Sequence, residues 1–254
     1  MEAQCWHRSA KVARNPDHTG SMALPLKTGQ IRDAWALLAG VDELRDLQVV
    51  VDGGSALCPT GWIGLLSLDA TVTAVVPHRA QVPMARVALA GLTPAEVTTP
   101  EVVVPRFGGV AELLGPAALF YPTTPLPGST RERQHERAEL DELGDLLRDA
   151  GPEDANESGL GDISAPAFVL RDKGAIVTAC GWRAWPGRIA HLCVLTRPAY
   201  RRQGLALAVA AQAIGEAAAE GLLPQWRARP AASQQLAQSL GLVRLGAQLN
   251  LRLG

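Results

Sequence analysis

Residues 198–206, Pro-Ala-Tyr-Arg-Arg-Gln-Gly-Leu-Ala, join an apolar strand-like run (Ile189 to Leu195) to a long Ala-rich segment that begins at Leu205 and reads as a helix. The first N–H groups of a helix lack intrahelical partners, and the helix dipole places about half a positive charge at that end. A strand that turns directly into a helix aims those groups at one point, and the natural occupant of that point is a phosphate or pyrophosphate. Gly204 lets the backbone approach a ligand closely, Ala206 keeps the next turn clear, and Arg201 and Arg202 add charge. The spacing is neither G-x-G-x-x-G nor a P-loop, both of which are absent from the chain. Taken alone, the same turn also reads as a solvated helix cap.

The charge distribution favours the ligand reading. Lys/Arg and Asp/Glu number 9 and 11 in residues 1–130, 7 and 12 in 131–187, and 8 and 2 in 188–254. The last segment is basic through arginine alone, the side chain suited to bidentate phosphate recognition. The acidic middle suits a cationic acceptor such as an amine, or simply balances the basic end within one fold. The overall net charge of −1 and few aromatic residues carry no sign of a nucleic-acid partner. Cys5, Cys58, Cys180 and Cys193 form no C-x-x-C pair, which predicts a reducing, cytoplasmic setting with neither a disulfide framework nor a metal site. No apolar run reaches 18 residues, so no membrane span is expected.

The elements that must position the turn fall into two units. Residues 1–28 read as a disordered leader, residues 29–121 as an N-terminal α/β domain, 122–130 as a Pro/Gly-rich linker, and 131–254 as the unit that carries the turn. In the first unit we expect helices at 31–47 and 82–91, strands at 62–68 and 71–76 joined through Leu68-Asp69-Ala70, and a closing strand at 117–121. In the second, a charged segment at 131–139 precedes helices at 140–149 and 152–156. Strands follow at 167–170, 176–183 and 189–195, with turns at Asp172-Lys-Gly174 and Pro186-Gly187. The long helix from Leu205 is apolar nearly all round, so it should be buried, with Gly221 as its stop. A strand at 223–228, a helix at 232–240 and two strands around 243 and 249–253 complete the unit.

This order, with Arg201-Arg202-Gln203-Gly204-Leu205-Ala206 between the fourth strand and third helix, resembles the GNAT superfamily of acetyl-CoA-dependent N-acetyltransferases. The hexapeptide fits the superfamily pattern Q/R-x-x-G-x-G/A, and Pro198, Tyr200 and Gly241-Leu242 stand where such proteins often carry Pro, Tyr and Gly-Phe. The resemblance covers about residues 131–254. It implies an α/β (α+β) fold with a mixed, mostly antiparallel sheet flanked by helices, preceded by the smaller N-terminal domain. That domain reads as a degenerate half-copy of the fold or as an acceptor-shaping unit.

The resemblance also implies acetyl-CoA as cosubstrate, no metal, and a primary amine of a small molecule or peptide as acceptor, attacked directly in a ternary complex. Backbone N–H groups of Arg202, Gln203, Gly204, Leu205 and Ala206 would cradle the pyrophosphate, and Val194, Leu195 and Thr196 would pair with the pantetheine arm. Ser233 would bond the pantetheine or thiol end, and Arg197, Arg201 or Arg202 the 3′-phosphate. The departures lie in the side chains that move protons. The tyrosine often used as acid falls at Ala237, and strand bases fall at Ala190 or Leu192. His191, between them, should face the opposite side of the strand from Ala190 and Leu192 unless a bulge shifts the register, and Tyr200 reads as packing beside the turn. Glu157 is the candidate base, with Glu153 and Asp154 near it as groups that could instead bind a cationic acceptor; Glu157 also reads as a helix cap or a solvent-facing side chain. These departures keep open a non-catalytic acyl-CoA-binding module of the same fold.

Overall fold

Ten strands share one sheet in the computed structural model, which describes residues 28–123 and 136–254. The expected leader up to residue 27, Cys5 within it, and most of the expected linker lie outside the described residues. The chain runs α1 (Thr28–Ala39), β1 (Leu47–Val51), β2 (Ile63–Leu68), β3 (Thr71–Val76), α2 (Val82–Leu89), α3 (Pro100–Val103) and β4 (Val110–Tyr121). It continues with β5 (Glu136–Ala138), α4 (Gly144–Ala150), α5 (Pro152–Ser158), β6 (Ala167–Asp172), β7 (Ala175–Trp185), β8 (Ile189–Thr196), α6 (Leu205–Ala219), β9 (Leu223–Ala228), α7 (Ala231–Ser239) and β10 (Val243–Leu253). The spatial order is β1-β3-β2-β10-β4-β9-β8-β7-β6-β5, with parallel pairing only at β1/β3 and β8/β9. This is the mixed, mostly antiparallel sheet flanked by helices that the resemblance implied.

The hairpins close as their residues dictate. Asp69 (φ +55°) turns β2 into β3, and Lys173 with Gly174 (φ +49° and +83°) turns β6 into β7, the left-handed pair that a two-residue hairpin requires. At the β7–β8 turn, Gly187 has φ +74°, and a Cβ there would stand 3.1 Å from Ala34 Cα, so α1 packs directly on this turn. Helix α6 is Ala-rich, none of its residues is exposed, and Glu216 on it pairs with Arg137. Leu222 N–H donates to Ala217 C=O at 2.9 Å past Gly221, the expected glycine stop.

Two layers of helix cover the sheet. On one face α6 and α7 bury Ala118, Phe120, Trp182, Leu192 and Trp226. On the other, α1 packs on Leu119, Tyr121, Ile189 and Leu223, and α4 packs near Cys193 and Leu195.

Four differences from the sequence expectation matter. The first helix ends at Ala39 rather than 47, and its expected tail contains the start of β1. The charged segment holds a short strand, β5. The two expected final strands are one, β10, whose pairing with β4 shifts register between Arg244 and Gly246, Gln248 and Asn250, and Arg252 and Leu253. Finally, β10 lies between β2 and β4, and β4 pairs β9, so the N-terminal and C-terminal elements interlock in one sheet.

Candidate active site

Strand β8 pairs with β7 along its whole length, Ile189↔Trp185 through Thr196↔Thr178. On its other edge it pairs with β9 only at Ile189↔Leu223, Ala190↔Pro224 and His191↔Gln225. Beyond that point β9 turns its edge to β4, with Phe120↔Trp226, Leu119↔Arg227 and Ala118↔Ala228. The two parallel strands therefore part after His191 and Gln225. From Leu192 to Thr196 the β8 edge facing this opening is paired by no strand among the described residues. Val194, Leu195 and Thr196 lie on that edge, and the opening begins two residues earlier than Val194.

The opening leads to the Arg/Gly turn. Pro198–Tyr200 form one tight turn, closed by Tyr200 N–H donating to Arg197 C=O at 2.9 Å. Arg202 (φ +60°) and Gly204 (φ +76°) are both left-handed, which turns successive N–H groups to one side. Among the described residues, no carbonyl or side chain accepts the N–H of Arg202, Gln203, Gly204, Leu205 or Ala206. A Cβ added at Gly204 would meet nothing within 4 Å, so the space in front of the turn is open. Unpaired donors, open space and the N-terminus of the 15-residue α6 make a turn that could hold an anion such as a phosphate group.

The arginines around the turn are not equivalent. Arg197 donates to Ile176 C=O at 2.7 Å and pairs with Asp149; Arg201 donates to Thr196 C=O at 3.2 Å and pairs with Asp154. Arg202 is exposed and has no ion pair among the described residues. Tyr200 donates its phenol to Asp172 at 2.7 Å, a bond that raises its pKa and keeps the proton on the ring. Gln203 donates to Ala199 C=O at 3.2 Å. Asp154, expected near an acceptor, is instead engaged with Arg201.

Ser233, on α7, accepts a hydrogen bond from Trp226 Nε1 at 3.0 Å, while its own hydroxyl proton remains to be donated. Ala237, one turn on, is buried in the α6/α7 layer. Glu157, on α5, accepts from Arg229 Nε at 3.1 Å and from a second guanidinium nitrogen, a bidentate pair that ties α5 to the chain just past β9.

On the face of β8 away from α6 stands His191, as strand alternation predicts, with no bulge in its pairing to β7. Its ring stacks on Trp185 at 4.4 Å, and Nδ1 lies 3.2 Å from Gln225 Oε1. Gln225 Nε2 donates to the Tyr121 hydroxyl at 3.1 Å, which also accepts from Trp35 Nε1. Burial lowers the His191 pKa to about 3, with Arg227 nearby adding to the effect. The ring is neutral at pH 7 and too weak a base to take a proton from an ammonium. This buried chain was missed in the sequence, although Gln225 and Arg227 show it: two long polar residues at a spacing of two in an otherwise apolar strand.

Comparison with known proteins bears on the same segment. The family model described as GNAT acetyltransferase matches residues 153–247, from α5 through the opening and the turn into β10. Residues 153–247 form a GNAT acetyltransferase domain. The search of curated proteins gives no match. Solved structures similar to the chain include a GNAT-family acetyltransferase from Novosphingobium aromaticivorans at 23% identity and TM-score 0.47, covering 56% of this chain and 65% of that one. A GNAT-family acetyltransferase from Colwellia psychrerythraea is 15% identical at TM-score 0.46, covering 70% and 75%. A GCN5-related N-acetyltransferase from Kribbella flavida is 19% identical at TM-score 0.42, covering 59% and 62%. The chain thus spans slightly less than two thirds of the first and third of these proteins. Within the GNAT domain, the opening between β8 and β9 and the cradle before α6 are continuous.

Proposed function

We propose that this chain transfers an acetyl group from acetyl-CoA to a primary amine of a small molecule or peptide, by direct attack in a ternary complex. The observation that carries this reading is the set of unpaired N–H groups from Arg202 to Ala206 at the end of the opened β8 edge. In this reading those N–H groups hold the pyrophosphate, and exposed Arg202 is the arginine best placed for the 3′-phosphate. The amide-bearing pantetheine arm would pair along Val194, Leu195 and Thr196 as an extra strand, and the Ser233 hydroxyl would donate to its thiol end. A backbone N–H at the start of the opening would stabilise the oxygen on which negative charge develops.

The acceptor must reach the opening as a neutral amine, because an ammonium has no lone pair to attack with. Glu157 is the proposed base, released from Arg229 when the acceptor enters. Its bidentate pairing, the neutral His191 and the alanine at 237 favour a second reading, a non-catalytic acyl-CoA-binding module. Release of CoA thiol against a panel of amines separates the two. Turnover that saturates in an amine and falls at least tenfold in Glu157→Gln supports the enzyme with this base; saturable acetyl-CoA binding without turnover supports the module. Cys58, Cys180 and Cys193 are free and buried, which accords with a reducing, cytoplasmic location. Among the described residues no helix is long and apolar enough to cross a membrane.

A further inference from the structure

Arg227 is the charged side chain at this opening that has no partner among the described residues. It lies on β9 two residues beyond Gln225, the last β9 residue paired with β8, and strand alternation puts it on the same face as Gln225 and His191. Its Nε is buried without an acceptor, and its guanidinium makes no hydrogen bond or ion pair among the described residues. The arginines around it are matched: Arg183 donates to Asp162 at 3.2 Å, and Arg229 holds Glu157. Burial pushes the Arg227 pKa down to about 10, with Arg229 adding to the effect and Glu157 opposing it. Among the described residues, three guanidiniums thus meet two carboxylates around a neutral His191. One positive charge is left over, in a place where an unmatched ion is costly and a bound anion would relieve the cost.

We propose that Arg227 receives a carboxylate of the substrate at the parting of β8 and β9. The substrate pair then includes either an amine that also bears a carboxylate, as an amino acid does, or an acyl group ending in one. The inference rests on the acyl-transfer reading above. A guanidinium fork matches a carboxylate with two parallel bonds, and Gln225, engaged with His191 and Tyr121, cannot take that role. The same positive surroundings disfavour an ammonium, so an acceptor amine anchored there gives up its proton more readily. In the transfer, the amine nitrogen bonds to the thioester carbon and the carbon–sulfur bond breaks. The CoA sulfur leaves with the electron pair, the nitrogen loses one proton to Glu157, and the thiolate gains one from solvent.

The test is a titration of the full chain, labelled with nitrogen-15, followed at the Arg227 Nε–H signal, which Arg227→Lys identifies by its loss. N-acetylalanine serves as a carboxylate probe against its primary amide, and succinyl-CoA against acetyl-CoA. A saturable shift with N-acetylalanine but not the amide, together with a calorimetric affinity for N-acetylalanine that falls about 10- to 100-fold in Arg227→Gln, supports a carboxylate on the acceptor. A shift with succinyl-CoA beyond that with acetyl-CoA supports one on the acyl group. The proposal is overturned if neither carboxylate moves the signal more than its neutral counterpart. The Gly204 amide, read in the same spectra with acetyl-CoA, reports the cofactor site separately. Silence there sinks the acetyl-transfer reading, while the N-acetylalanine arm still decides the fate of Arg227.

Discussion

His191 gives up its ordinary proton affinity to sit where it does. In the unfolded chain it titrates near 6.5, whereas burial and nearby Arg227 hold it at about 3 in the fold. Between those values the unfolded chain binds the extra proton, so folding stability falls as pH drops from 6.5 toward 3, by up to about 1.4 kcal/mol per pH unit. Denaturant midpoints measured from pH 7.5 to 4 should decline less steeply for His191→Gln than for the wild type; equal slopes would show that His191 does not carry this dependence. Ser233 supports a second residue-scale prediction. It is the acceptor for Trp226 Nε1, and Trp226 is buried in the α6/α7 layer. Ser233→Ala should therefore cost about 1–3 kcal/mol in stability by leaving a buried donor unpaired. If Ser233 also touches pantetheine, the variant loses acetyl-CoA affinity as well, and calorimetry reads the two effects separately.

At the scale of elements, sequence and structure agree where the signal is local. Strand β3 begins and ends at the expected residues, Gly221 and Gly241 stop α6 and α7, and α6 has no exposed residue, as its nearly all-apolar sequence requires. The misses have long-range causes. Strand β1 is too short to declare itself, and its partner β3 lies more than twenty residues away. The Gly40 stop, with φ +70°, was the local sign that α1 ends before it. Strand β5 is an edge strand made of Glu136, Arg137 and Ala138, and charge at an edge hides a strand while protecting it from further pairing. The candidate turn at 201–206 was legible as a strand-to-helix junction because glycine and arginine there have a local meaning. The Arg227 region was not, because Arg183, His191 and Arg227 meet only once β7, β8 and β9 lie side by side.

At the scale of the whole molecule, the sheet is sewn together by chain crossings. β10 from the C-terminal end lies between β2 and β4, and β4 in turn pairs with β9 beside the opening. Tyr121, the last residue of β4, accepts hydrogen bonds from Trp35 on α1 and Gln225 on β9, so one hydroxyl joins the N-terminal layer to the strand beside the opening. Tyr121→Phe leaves both donors buried and unpaired. It should lower the free energy of unfolding by about 1–3 kcal/mol in a denaturant titration, and a variant as stable as the wild type would show the link to be idle.

The central claim, that the Arg202–Ala206 turn is an anion cradle serving a CoA thioester, is tested most directly by calorimetric titration of acetyl-CoA into the full chain and into Gly204→Ala. Gly204 is left-handed at φ +76°, and a Cβ there would stand in the open space before the turn. The account predicts saturable one-site binding by the wild type, weakened about tenfold or more by the substitution, equivalent to about 1.4 kcal/mol. Absence of binding by the wild type, or equal affinity in a variant of unchanged melting temperature, would contradict it.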